Sequence, residues 1–140
     1  MAAPPSGKIF RIFCKAFQKA TAYTTSDSCA PISFSNVPAG GSFGQWTWTT
    51  RSGGPSNVGM FTNGGNPGYA TARDGKVVVC PQAQLGSNDQ IVWELVDNHD
   101  GTFLVQIPQS KLIWGVDSNS NLVITDAQKG TGASQQFAFA

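Results

Sequence analysis

One short pattern is written three times in this chain. "GQWTW" stands at Gly44–Trp48, "DQIVWELV" at Asp89–Val96 and "QQFAF" at Gln135–Phe139. Trp93 follows Trp46 by 47 residues, and Phe137 follows Trp93 by 44. Each aromatic has a second apolar residue two places on (Trp48, Leu95, Phe139) and a Gln within three places before it (Gln45, Gln90, Gln135 or Gln136). A two-residue spacing puts both apolar side chains on one face of a strand. A repeat near 45 residues therefore constrains the fold before any single residue does.

Other segments keep the same period. "APISF" (30–34), "KVVVC" (76–80) and "NLVIT" (121–125) alternate small or β-branched apolar residues, the pattern of half-buried strands. "GYATA" (68–72) falls against "IWGVD" (113–117), which sets Tyr69 over Trp114, and "TAYTT" (21–25) takes that place in the first unit. "GKIFRIF" (7–13), "NVGMFT" (57–62) and "GTFLVQI" (101–107) complete the set. Turn signals such as "NGGNPG", "ARDGK", "DNHDGT" and "DSNSN" separate them. Each unit reads as four short strands and is too small to bury its own face, so the three share one core.

Twelve strands in three pseudo-symmetric repeats of about 45 residues is an all-β, β-trefoil pattern. The reading is one domain over residues 1–140, with repeats at roughly 7–48, 49–95 and 96–140. In each fourth strand the aromatic and its partner point inward, and the Gln bonds to backbone at the strand start. For the first unit a second reading stands beside this one, with one of Trp46 and Trp48 in the core and the other outward.

Net charge is +1, which gives no long-range pull toward nucleic acid or an anionic membrane. No apolar run is long enough for a membrane span, so no membrane insertion is expected. The opening "MAAPPSGK" lacks the basic and apolar regions of a secretory signal. Cytoplasmic synthesis with reduced thiols follows, with release by a non-classical route left open. Three cysteines are an odd number for a disulfide scaffold, and a Cys14–Cys29 bridge is the pairing left open.

The "Q-x-W-x-L" element, here "GQWTW", "QIVWEL" and "QQFAF", resembles the QxW repeat of ricin-B-like β-trefoils. "DGTFLVQI" and "KLIWGVDSNSNLVITD" resemble a unit of that kind, and the likeness spans Gly7 to Ala140. It is most similar to small mushroom and other fungal lectins. That resemblance implies carbohydrate binding in a defensive or recognition role, with no catalysis, cofactor or metal. It implies glycans on proteins or lipids as partners, and leaves a homodimer open. Galactose-binding members carry an Asp after the start of the second strand and an aromatic near the third. Here those places hold Tyr69 or Trp114, and Cys80 or Thr125. Some fungal members use an aromatic in the "WG" position with residues just before the fourth-strand Trp.

Sugar binding needs an aromatic face for the pyranose C–H groups and planar polar groups for its hydroxyls. Tyr69, Asn88, Asp89, Gln90 and Trp93 are the candidates in the second unit; Trp114, Asp117, Asn119 and Gln135 are those in the third. Trp93 is also read as core, and Trp114 as packing at the barrel rim. "DSNSN" begins like a calcium loop, but Leu122 stands where such a loop needs Gly, so it reads as a turn. His99, the single His, sits in a turn without a nucleophile beside it, and Glu94 is the single Glu. A glycosidase pair of acids is not indicated. Lys8, Arg11, Lys15 and Lys19 read as a solvated face. The rival function is a β-trefoil protease inhibitor presenting Arg51, Arg73 or Lys111 on a loop; fold alone does not choose.

Overall fold

The computed structural model describes residues 4, 6–17, 20–36, 41–51, 53–127 and 132–140. Lys19 of the sequence features above lies outside that set. Among the described residues, fourteen strands form one sheet. Two pairs of them, β1 (Ile9–Phe10) with β2 (Ile12–Cys14) and β4 (Ala30–Pro31) with β5 (Ser33–Ser35), are separated by a single residue.

A closed ring runs through the molecule. β1 pairs with β6 (Trp46–Thr50), β6 with β7 (Val58–Asn63), and β7 with β10 (Trp93–Asp97). β10 continues to β11 (Phe103–Gln106), β11 to β14 (Phe137–Phe139), and β14 returns to β2. All these pairings are antiparallel, and closure leaves the ring without an open edge. Outside it lie three hairpins: β3 (Thr21–Tyr23) with β5, β8 (Gly68–Arg73) with β9 (Lys76–Pro81), and β12 (Leu112–Val116) with β13 (Leu122–Asp126). They are joined through β4–β9, β9–β13 and a bridge from Ser33 to Asn121.

The three fourth-strand aromatics occupy one position of this frame. Trp46 pairs with Phe10, Trp93 with Gly59, and Phe137 with Phe103. Trp46, Trp93 and Phe137 are wholly buried, and their partners Trp48, Leu95 and Phe139 are buried too. Trp46 and Trp48 therefore both face inward, not one each way; residues two apart share a face and this face is the core. Around them Phe61 packs on Trp48 at 4.7 Å and on Trp114 at 5.0 Å, ring to ring. Gly59 makes room for this: a Cβ there would meet the Thr49 carbonyl oxygen at 2.4 Å and the Trp48 ring at 3.0 Å.

The turns follow their residues. Asp74 and Gly75, at φ of 53° and 77°, close the β8–β9 hairpin, as the Asp-Gly pair predicts. His99 (φ 63°) sits in the β10–β11 turn and donates its backbone N–H to the Asp97 carboxylate at 2.7 Å. Lys8 and Lys15 are exposed, and Arg11 is half-buried, donating to the Gly44 carbonyl at 3.4 Å.

Candidate functional site

In the second unit, most of the expected residues are engaged by the protein itself. The Asp89 carboxylate accepts the Arg73 guanidinium, with Nε at 3.0 Å, and the Gly86 N–H at 2.7 Å. The Arg73 hydrogen bond, then the Gly86 amide, hold the carboxyl down to about 2. Arg73 also donates to the Gln84 carbonyl at 2.8 Å and to Cys29 Sγ at 2.9 Å. It thus pins the loop after β9 to the first unit, and is not free to serve as the specificity residue of an inhibitor. Gln90 donates to the Val92 carbonyl at 2.8 Å, a backbone bond of the kind expected for these Gln residues. Trp93 is wholly buried and offers no face to a ligand. Tyr69 is half-buried on β8 opposite Cys80, and Asn88 is exposed.

Cys80 is joined to Cys29 by a disulfide. Neither the fully reduced state nor a Cys14–Cys29 bridge expected from the sequence is what the structure contains. Cys14 is the free thiol, buried, with Sγ 3.4 Å from the Ala133 carbonyl; burial raises its pKa.

In the third unit, the register decides the outcome. Phe13, Thr62 and Gln106 are equivalent, because each pairs with the residue just after a fourth-strand aromatic: Ala138, Thr47 and Glu94. Those three in turn face Thr21, Tyr69 and Ile113. Tyr69 therefore lies over Ile113, and Ala70 over Trp114. The sequence alignment of Tyr69 with Trp114 is one residue out, and one residue inverts the face. Trp114 points inward, wholly buried, with Trp93 at 5.4 Å and Phe137 at 5.6 Å, both edge to face. It cannot be a stacking platform.

The polar candidates of that unit also serve the fold. Asp117 Oδ1 accepts the N–H groups of Asn119 at 2.9 Å and Asn121 at 3.0 Å, closing its own turn. Gln135 donates to the Thr125 hydroxyl at 3.0 Å and accepts the Gly132 N–H at 2.7 Å. Its side chain lies over Gly115, where a Cβ would sit 2.7 Å from Thr125 Cγ2. Asn119 is exposed. The two proposed constellations are not assembled.

A different surface brings aromatic and charged groups together. The equivalent pairs Ala138–Phe13 and Glu94–Gln106 point outward from the ring, and each borders a groove. The first, about 490 Å³, is lined by Phe13, Lys15, Phe17, Asp100, Thr102 and Ala138. Phe13 and Phe17 are half-buried and form its apolar wall. Lys15 Nζ lies 2.9 Å from Asp100, with both side chains near half exposed at 48% and 41%. Hydrogen bonds from Thr102, then from Lys15, bring the Asp100 carboxyl down to about 2. The groove thus pairs ring faces for C–H groups with a charged donor and acceptor for hydroxyls. The second, about 400 Å³, is lined by Glu94, Gln106, Gln109, Ser110 and Lys111, with no ring. Sequence reasoning missed the first groove because its residues come from the first and third units and the turn between β10 and β11. The one available signal was Phe13, outward between the inward Ile12 and Cys14.

No family model matches the chain, and no curated protein matches it. Solved structures do. A Macrolepiota procera ricin B-like lectin in complex with lactose superposes with a TM-score of 0.73 at 12% identity, over 99% of this chain and 98% of that one. A designed 3-fold symmetric protein, ThreeFoil, gives 0.73 at 16% identity, over 94% and 97%. A Polyporus squamosus lectin, bound to a sialylated human-type influenza-binding epitope, gives 0.73 at 12% identity; this chain covers 98% of itself and 50% of that chain. At such identities the likeness is one of fold, a β-trefoil that these lectin and designed structures share.

Proposed function

We propose that this chain is a non-enzymatic lectin that binds glycans at the groove of Phe13, Phe17, Lys15 and Asp100. The observation that carries the reading is the juxtaposition of two half-exposed phenyl rings with a solvent-accessible Lys15–Asp100 pair. Solved structures of the same fold hold lactose and a sialylated glycan, which supports the ligand class. Counting β1 with β2 and β4 with β5 as single interrupted strands, the reading takes the fold as twelve strands in three units, about 7–48, 49–95 and 96–140. A defensive recognition role, as the ricin-B-like resemblance implies, belongs to the same reading. So does synthesis in the cytosol with non-classical release, and the Cys29–Cys80 bond is then acquired where conditions oxidise thiols.

Of the sequence-derived residues, Tyr69, Asn88 and Asn119 keep side chains without a protein hydrogen bond among the described residues, and none of them lines the groove. The test is a glycan array with labelled protein at several concentrations. Saturable binding to a related set of glycans, lost in Phe13→Ala and Asp100→Asn but kept in Trp48→Phe, is expected. A blank array from folded protein would refute the lectin and leave the inhibitor reading, carried on Arg51 or Lys111, to be tried against a protease panel.

A further inference from the structure

Where the three hairpins meet, a second kind of cavity opens. It is a recess of about 180 Å³ lined by Pro31, Lys76, Val77, Asp117, Asn121 and Val123 with Leu122 behind. The framework around it is fixed. Val123 pairs with Lys76 across β13 and β9, and Leu122 donates its N–H to the Ile32 carbonyl at 2.8 Å. Ser33 donates its hydroxyl to Asn121 Oδ1 at 2.6 Å, which orients that amide and leaves its NH₂ as a donor. Asp117 Oδ1 is used by its own turn, and Oδ2 has no hydrogen bond among the described residues.

The charges of this recess are arranged unusually. Lys76 and Asp117 line the same small space, yet neither forms an ion pair with the other or with any described residue. Two opposite charges too far apart to touch can each be met by one end of a dipolar molecule. Between them the accessible aliphatic surface is that of Pro31 and Val123, while the Val77 side chain is buried in the core. No ring lines the recess, so it lacks the stacking face a pyranose uses. Its volume is that of several waters, which admits a small molecule and excludes an oligosaccharide.

We infer that the recess at the hairpin junction binds a small zwitterion of the α-amino-acid class, with its carboxylate on Lys76 and the Asn121 amide, its ammonium on Asp117, and an aliphatic side chain against Pro31 and Val123. This site is separate from the Phe13 groove and does not depend on it.

The test is an amide NMR titration of the intact chain with L-valine, beside isovalerate (no ammonium), L-valinamide (no carboxylate) and galactose. L-Valine is expected to give saturable shifts centred on Lys76, Val77, Asp117 and Asn121–Val123. Lys76→Met and Asp117→Asn are each expected to weaken binding at least about tenfold with an unchanged melting temperature; Asn at 117 keeps an oxygen to accept the two turn N–H groups. Absence of saturable shifts at these residues up to the solubility of valine overturns the inference. So does isovalerate or valinamide binding as tightly as valine, or galactose alone moving these amides. Shifts confined to the Phe13 groove would support the lectin reading while refuting this one.

Discussion

The indole N–H of Trp93 donates to the backbone carbonyl of Ala70 at 2.9 Å, fully inside the protein. Trp46 makes the same bond to the Ala22 carbonyl at 3.0 Å in the unit before it. In both, the fourth strand of a unit is fastened to its second by the one polar atom of a core side chain. The third unit has Phe137 at that position and no such bond, with Trp114 taking the place of the alanine.

Trp93→Ala is expected to cost about 3–5 kcal/mol of stability by urea denaturation, the range for large aromatic truncations in a core. Trp93→Phe is expected to cost about 1–3 kcal/mol, since it also strands the Ala70 carbonyl. Parent-like melting of Trp93→Ala would mean that the ring is not in the core.

Trp114 separates packing from hydrogen bonding. Its indole nitrogen is buried without a partner among the described residues. Trp114→Ala is expected to destabilise by about 3–5 kcal/mol. Trp114→Phe removes an unsatisfied donor along with the volume, so its cost falls below that of Trp93→Phe. The two Phe variants, measured side by side, check this; the reverse order would place a hydrogen-bond acceptor at Trp114.

The repeat was legible because strand alternation and spacing survive divergence: Trp46, Trp93 and Phe137 fall on one structural position. The same alignment failed at Tyr69 and Trp114. Units of unequal length allow a one-residue slip, and in a strand that slip turns a buried ring into an exposed one. The disulfide was illegible because three cysteines allow three pairings, and spacing does not reveal that β9 carries Cys80 beside the first hairpin. The Phe13 groove was illegible for a related reason: ring closure, not sequence proximity, brings Phe13 to Asp100.

Cys29 and Cys80 close a loop with a sequence separation of 51 residues. Chain-entropy reasoning puts that at about 4 kcal/mol. Cys80→Ala is expected to lower the melting temperature, and a reductant is expected to lower that of the parent but not of the variant. Equal melting of parent with and without reductant would show that the bond carries no stability.

Asp89 supplies a pH dependence whose sign can be stated. Arg73, with the Gly86 amide, depresses its carboxyl to about 2 in the folded chain. A depressed carboxyl stabilises above its unfolded value of about 4 and loses that contribution as pH falls toward 2. Asp89→Asn is therefore expected to melt below the parent at neutral pH, the gap narrowing between about pH 4 and pH 2. A gap that stays constant through that window would detach Asp89 from the effect.

The ring closes where β14 meets β2: Phe137, Ala138 and Phe139 lie against Cys14, Phe13 and Ile12. Beside that seam, Arg11 and Ala140 exchange both backbone hydrogen bonds, at 2.9 and 3.0 Å. A chain emerging from the ribosome holds the first half of this seam long before the second exists. Hairpins such as β8–β9 and β10–β11 can form as they appear, but the barrel waits for residues 137–139. Until then Phe10, Ile12 and Phe61 have no lid, and the nascent protein carries its most apolar surface in the open. Contacts this distant in sequence also make for slow closure. The vulnerable interval for this barrel is thus its synthesis, and the arrival of β14 ends it.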